Sequence, residues 1–165
     1  MIRTLPIRNI RIGFLPINID THTPLGYDKE KRKGAFAMNV SVGMKGTAEN
    51  LCEKEDTALE VGSGSLLVYA TPCMAALMEG AACEAIEAGL AEGETTVGIE
   101  LNLKHTAATP VGLEVRAEAE VTAVEGKIIT FQITAYDEAG VIGEATHKRA
   151  CVNVQKFLDR TYAKL

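Results

Sequence analysis

From about residue 94 onward, apolar and polar residues alternate with a period of two. In "GLEVRAEAEVTAV", Leu113, Val115, Ala117, Ala119 and Val121 stand opposite Glu114, Arg116, Glu118 and Glu120. That is the pattern of a half-buried antiparallel strand, with one face on a core and the other in water. "TTVGIELNLKHT" reads the same way, with Val97, Ile99, Leu101, Leu103 and His105 on the inward side and Gly98, Glu100, Asn102 and Lys104 outward. "IITFQITAY" and "VIGEATHKRACVNV" complete a meander, joined through turns at "EGK" (125–127) and "DEAG" (137–140).

Upstream the period changes. "PCMAALMEGAACEAIEAGL" is apolar almost all the way round, broken only by Glu79, Glu84 and Glu87, and predicts a helix to about Leu90. Thr71 before Pro72 predicts an N-cap followed by proline at the first helical position. A helix without a polar face must be wrapped by other structure. The preceding "GTAENLCEKEDTALEVGSG" predicts a first strand and a glycine-rich loop. The pattern therefore specifies an α+β class: one long central helix wrapped by a curved antiparallel sheet of about five strands.

Composition narrows this only modestly. At 165 residues the chain suits one domain, and 47% hydrophobic with 24% charged residues is ordinary for a globular protein. Residues 1–37 differ from the rest, with prolines at 6, 16 and 24 and the charged stretch "GYDKEKRKG". They carry seven Lys or Arg against Asp20, Asp28 and Glu30, a net +4, which leaves −9 of the overall −5 on residues 38–165. An acidic body argues against a nucleic-acid surface. We read 1–37 as an N-terminal tail before a domain at 38–165. It is either a targeting or interaction arm, which Asp20 and the shortage of serine weaken, or sequence upstream of the true start. Met38 and Met44 both fall where the domain pattern begins, which favours the second explanation.

Cys52, Cys73, Cys83 and Cys151 form no C-x-x-C pair, and three histidines are few, so no metal site is expected. Without a signal peptide or an apolar run near 18 residues, the expectation is a cytoplasmic protein with reduced thiols and no membrane partner. Cys73 and Cys83 read as small core residues of the helix. "VGSGSL" fails as a phosphate loop, because the third glycine of G-x-G-x-x-G would fall at Leu67 and no Lys-Ser pair follows. Gly62 and Gly64 read as loop flexibility near a pocket. No G-x-S-x-G elbow is present.

Three residues break the apolar pattern in ways that suggest chemistry. Glu79 shares a helix face with Ala75, Ala76, Ala82, Cys83 and Ile86, and an unpaired buried carboxylate costs several kcal/mol by the usual order-of-magnitude reckoning. It must be bonded, neutralised or set in a wet pocket. His105 falls by parity among inward residues, and Thr71 at the helix start lies beside free backbone N–H groups able to steady an oxyanion. Carboxylate, imidazole and hydroxyl together form an acid/base set. Glu84 and Glu87 read as surface charges, His147 as structural or exposed, and His22 has no assigned role.

Taken together, "YATPCMAALMEGAA", "VGIELNLKHTAATPVG" and "GEATHKRACV" resemble the fluoroacetyl-CoA thioesterase-like branch of the hotdog-fold superfamily, over roughly Met38 to Phe157. The resemblance implies an acyl-CoA thioesterase with Thr71, Glu79 and His105 as catalytic triad and Gly98 contributing its backbone. Glu79 would activate water or attack the carbonyl, His105 would shuttle protons or polarise the thioester, and Thr71 would hydrogen-bond the carboxylate or the attacking group. It also implies a homodimer, needs no cofactor because coenzyme A is part of the substrate, and leaves Gly64, Lys104, Lys148 and Arg149 as candidates for substrate binding. One departure stands out: the fluoroacetyl-specific enzyme carries a longer, phenylalanine-bearing lid, whereas this chain has the short "EVGSGSLLVYATP". A non-catalytic acyl-CoA-binding module on the same fold is the alternative. A hydratase would need an Asp/His pairing that is not found.

Overall fold

A computed structural model describes residues 38–165, and the tail expected at 1–37 lies outside the described residues. The chain order is β1 (Lys45–Leu51), α1 (Thr71–Ile86), β2 (Glu94–His105), β3 (Glu114–Glu125), β4 (Ile128–Asp137), β5 (Gly140–Asn153) and α2 (Val154–Tyr162). The strands form one antiparallel sheet in the order β1-β3-β4-β5-β2. The two turns of the meander fall where the sequence places them, between Glu125 and Ile128 and between Asp137 and Gly140. In the second, the Asp137 carboxylate accepts the N–H groups of Ala139 and Gly140.

The sheet curls around α1. Met74, Leu77, Met78, Ala81, Ala82, Ala85 and Ile86 are buried against Ala117, Ala119, Val121, Phe131 and Ile133. Small residues set the closeness of this packing. A Cβ on Gly46 would collide with the backbone of Ala81 and Ala85 and with the Glu84 carboxylate, so only glycine lets β1 lie this near the helix. Glu84 is more than a surface charge: it accepts the Thr47 N–H at 3.0 Å and ties helix to strand.

Four features differ from the sequence pattern. α1 begins one residue early: Ala70 is the N-cap and Thr71 already helical, with no side-chain cap bond. The helix also stops at Ile86, after which Glu87–Gly89 form a 3-10 turn. The residues after β5 turn into α2, where the Asn153 side chain accepts the Lys156 N–H as cap. In β2 a bulge falls between Gly98 and Glu100, leaving Ile99 without a partner on β5. An extra residue reverses the side-chain parity. Before the bulge the residues facing the helix are Thr96 and Gly98; after it they are Leu101, Leu103 and His105, which pair with His147, Ala145 and Gly143. Val97 and Ile99 therefore point outward, and Ile99 is 54% exposed.

Candidate active site

Two segments meet at the start of α1. Thr109, fully buried, donates its hydroxyl to Asp137 Oδ2 at 2.8 Å, and its carbonyl accepts the Tyr69 N–H at 2.8 Å. The Thr106 N–H bonds the Ile142 carbonyl. The residues after His105 thus anchor the residues before Thr71, and the two side chains are brought together: Thr71 Oγ1 lies 2.9 Å from His105 Nδ1. Because the helix cap falls at Ala70, the Thr71 hydroxyl is free for this bond. The other ring nitrogen, Nε2, is shielded and bonds no described residue. A cavity of about 350 Å³ beside them is lined by Ala58, Ser63, Val68, Tyr69 and Ala107. Gly64 is exposed on the neighbouring loop and is not among the lining residues; Ser63 takes that place.

Glu79 is not part of this pair. It lies eight residues beyond Thr71, about 12 Å along the helix axis. Its carboxylate, 43% exposed, bonds Arg149 Nη1 at 3.0 Å. It sits over Gly98, where an added Cβ would be 3.0 and 3.2 Å from its two oxygens. Glu79, Gly80, Pro72, Ala75, Ala76, Cys83 and Arg149 line an open groove of about 540 Å³ along α1. The three residues that the resemblance groups as a triad thus form two half-sites within one chain.

Arg149 belongs to the second half-site, and its surroundings rule out an exposed phosphate clamp. It is 5% exposed; Nε donates to Thr96 Oγ1 at 2.9 Å, Nη2 to the Thr96 carbonyl at 3.0 Å, and Nη1 to Glu79 and to His147 Nε2. His147, read from sequence as structural or exposed, is 1% exposed at the centre of this network. Its Nδ1 faces the Glu100 carbonyl at 2.8 Å. Burial pushes its pKa below the ordinary value, outweighing the opposing influence of that carbonyl and of Glu79, while Arg149 adds to the lowering. Lys104 and Lys148 stand on the outer face, Lys148 paired with Glu100 at 3.0 Å. The signal for this network was present in the alternation of Ala145, His147, Arg149 and Cys151 against Glu144, Thr146, Lys148 and Ala150, which places His147 and Arg149 on one inward face.

Burial also raises the thiols of Cys73, pushed up to about 11, and of Cys83, so neither is an activated nucleophile. No cluster of metal ligands occurs among the described residues, and no described helix is long and apolar enough to cross a membrane.

A curled five-stranded antiparallel sheet around one central helix is the hotdog fold of the thioesterase superfamily. The family model for the fluoroacetyl-CoA-specific thioesterase matches residues 52–155, and the chain belongs to that family. It is 41% identical over 90 residues to the fluoroacetyl-CoA thioesterase of Streptantibioticus cattleyicolor; the match covers 54% of this chain and 65% of that relative. A solved structure of a fluoroacetyl-CoA thioesterase superposes with a TM-score of 0.72 at 32% identity, covering 76% of this chain and 98% of the other. A thioesterase-superfamily member from Thermus thermophilus gives 0.69 at 28% identity, covering 76% and 94%.

Proposed function

We propose that the protein hydrolyses the thioester of a small acyl-CoA to free acid and coenzyme A, with Thr71, Glu79 and His105 as the reacting groups. The observation that carries the reading is the Thr71–His105 bond of 2.9 Å at the first turn of α1, with a partly exposed carboxylate held on the same helix over Gly98. A thiolate leaves readily, so the protein has to deliver water and steady the oxyanion. Glu79 takes the proton from the attacking water, and backbone N–H groups at the start of α1 stand where an oxyanion is stabilised. His105, bonded through Nδ1 to Thr71, is the group that returns a proton to the departing sulfur.

About 12 Å of helix between Thr71 and Glu79 favours a site completed by a second copy. Among the described residues β2 closes the sheet, its outer edge unpaired along twelve residues, and a long free edge is a ready surface for pairing. We infer a homodimer joined along β2, which would cover Ile99 and the groove beside Glu79 and set each Glu79 near the other chain's Thr71 and His105. Its mass in solution, measured for the wild type and for Ile99→Asp, checks this: a monomeric wild type refutes it. Four free cysteines suit a reducing cytoplasm.

The activity test is thiol release from a panel of short, branched, aromatic and fluorinated acyl-CoAs, with Glu79→Ala and His105→Ala alongside. Loss of turnover in both variants supports the assignment. Saturable CoA-ester binding without turnover by the wild type would replace it with the binding-module reading. Single turnover in 18O-labelled water tests for direct attack: label in the Glu79 carboxylate shows that an anhydride formed and was opened at the Glu79 carbonyl, since water activation leaves that carboxylate unlabelled.

A further inference from the structure

The Glu79 carboxylate is linked through Arg149 to His147, two contacts away. The Glu100 carbonyl is purely an acceptor, so His147 Nδ1 must carry the ring proton in the 2.8 Å bond between them. Arg149 is purely a donor, so His147 Nε2 must accept from Nη1 at 3.1 Å. Both partners therefore demand one tautomer of a neutral imidazole. The two N–H groups of Arg149 Nη1 are then divided, one to His147 and one to Glu79 Oε2 at 3.0 Å. Thr96 holds the other side of the guanidinium through Nε and Nη2.

Resting on the thioesterase reading above, we propose that His147 is a positioning residue: as a neutral acceptor it fixes the Arg149 guanidinium, and through it the Glu79 carboxylate, in the geometry for attack. A protonated His147 would turn an N–H toward the Arg149 N–H, exchanging a hydrogen bond for contact between two cations. The guanidinium would then have to turn, and Glu79 would lose its partner.

The groups that face His147 are few. Arg149 lies on its own strand, Glu79 reaches it from α1, and Cys83 of α1 lines the groove beside that pair. β2 contributes the Glu100 carbonyl, and from β4 the Phe131 ring packs at 6.1 Å between centroids. The Lys148–Glu100 pair lies on the opposite face of the sheet. The Glu100 carbonyl and Glu79 oppose, without outweighing, the burial and the Arg149 charge that keep the ring neutral, so acidification is the route by which the network opens.

The test compares the full chain with His147→Phe, which keeps the apolar packing, and His147→Gln, which restores a donor and an acceptor. Steady-state hydrolysis of the best acyl-CoA in the panel is measured from pH 5 to 9. In His147→Phe, kcat should fall about 10- to 100-fold with KM within about threefold, the scale on which misplaced catalytic groups act. His147→Gln should recover part of kcat and lose the acid limb that the imidazole contributes. A rise in KM alone, or an unaltered kcat in His147→Phe, overturns the positioning role while leaving the thioesterase reading intact. Absence of turnover by the wild type on every ester refutes the thioesterase reading itself, and the role with it. If His147→Phe does not fold, a wild-type pH profile in His147→Gln refutes the role on its own.

Discussion

Gly98→Ala gives the sharpest separation between site geometry and fold. The added methyl would stand 3.0 and 3.2 Å from the Glu79 oxygens and 3.2 Å from His147 Cε1. Carbon and oxygen rest nearer 3.4 Å or beyond, so the carboxylate has to withdraw by roughly 0.4 Å, a step well inside the scale on which displaced reacting groups cost rate. From 3.0 Å such a movement stretches the Arg149 bond to the edge of hydrogen-bonding range. A hydrogen bond to a charged group is worth about 1.5–3 kcal/mol, and with Glu79 43% exposed we discount this to about 1 kcal/mol of stability. Catalysis should lose more than stability does, since a displaced base costs on the order of 10-fold in kcat. The backbone itself tolerates the change, because Gly98 is not among the glycines with positive φ. The assay is thiol release beside a urea titration. A full-rate Gly98→Ala, or a loss of rate explained wholly by unfolding, would refute the argument that Glu79 is held against this glycine.

Three further outcomes are expected. Thr71→Val should remove the hydroxyl bonded to His105 and lower kcat about 10-fold or more while costing under about 1.5 kcal/mol in stability, because the helix cap lies at Ala70; Thr71→Ser should retain most activity. Gly46→Ala should destabilise by about 3 kcal/mol or more, since its Cβ would meet the α1 backbone and only movement of β1 can relieve the overlap, and a chemical denaturation midpoint close to wild type would contradict the close approach. Stability should fall on acidification: the folded His147 pKa is below the ordinary 6.5, so the unfolded chain binds the proton first. The contribution is full above about pH 6.5 and declines below it, by up to about 1.4 kcal/mol per pH unit until the folded pKa is reached. The difference in urea midpoint between pH 7.5 and 5.5 should shrink in His147→Gln; an equal difference in both proteins argues against it.

The chain by itself determined the class of fold. Period-two alternation on β3, β4 and β5, turn residues at 125–127 and 137–140, and a helix with no polar face leave one arrangement, in which the sheet curls around the helix. Local composition sufficed there because burying an apolar face decides it. The anomaly of Glu79 was equally legible, since a carboxylate among alanines is costly wherever the helix packs; the resemblance grouped Thr71 and His105 with it, and only the structure set the bond between Thr71 and His105. What escaped depended on contacts between distant segments. Continuous alternation put Ile99 inward, but one residue inserted against β5 reversed the parity of β2 and brought Gly98 beneath Glu79. The helix cap moved to Ala70, which freed the Thr71 hydroxyl. Arg149 stood as a candidate for substrate binding until β5 was laid beside β2, where Thr96, His147 and Glu79 consume nearly all its donors. Periodicity reports which face of an element is buried; only the pairing of strands decides which polar groups are buried together, and that pairing turned His147 from a bystander into the support of the carboxylate.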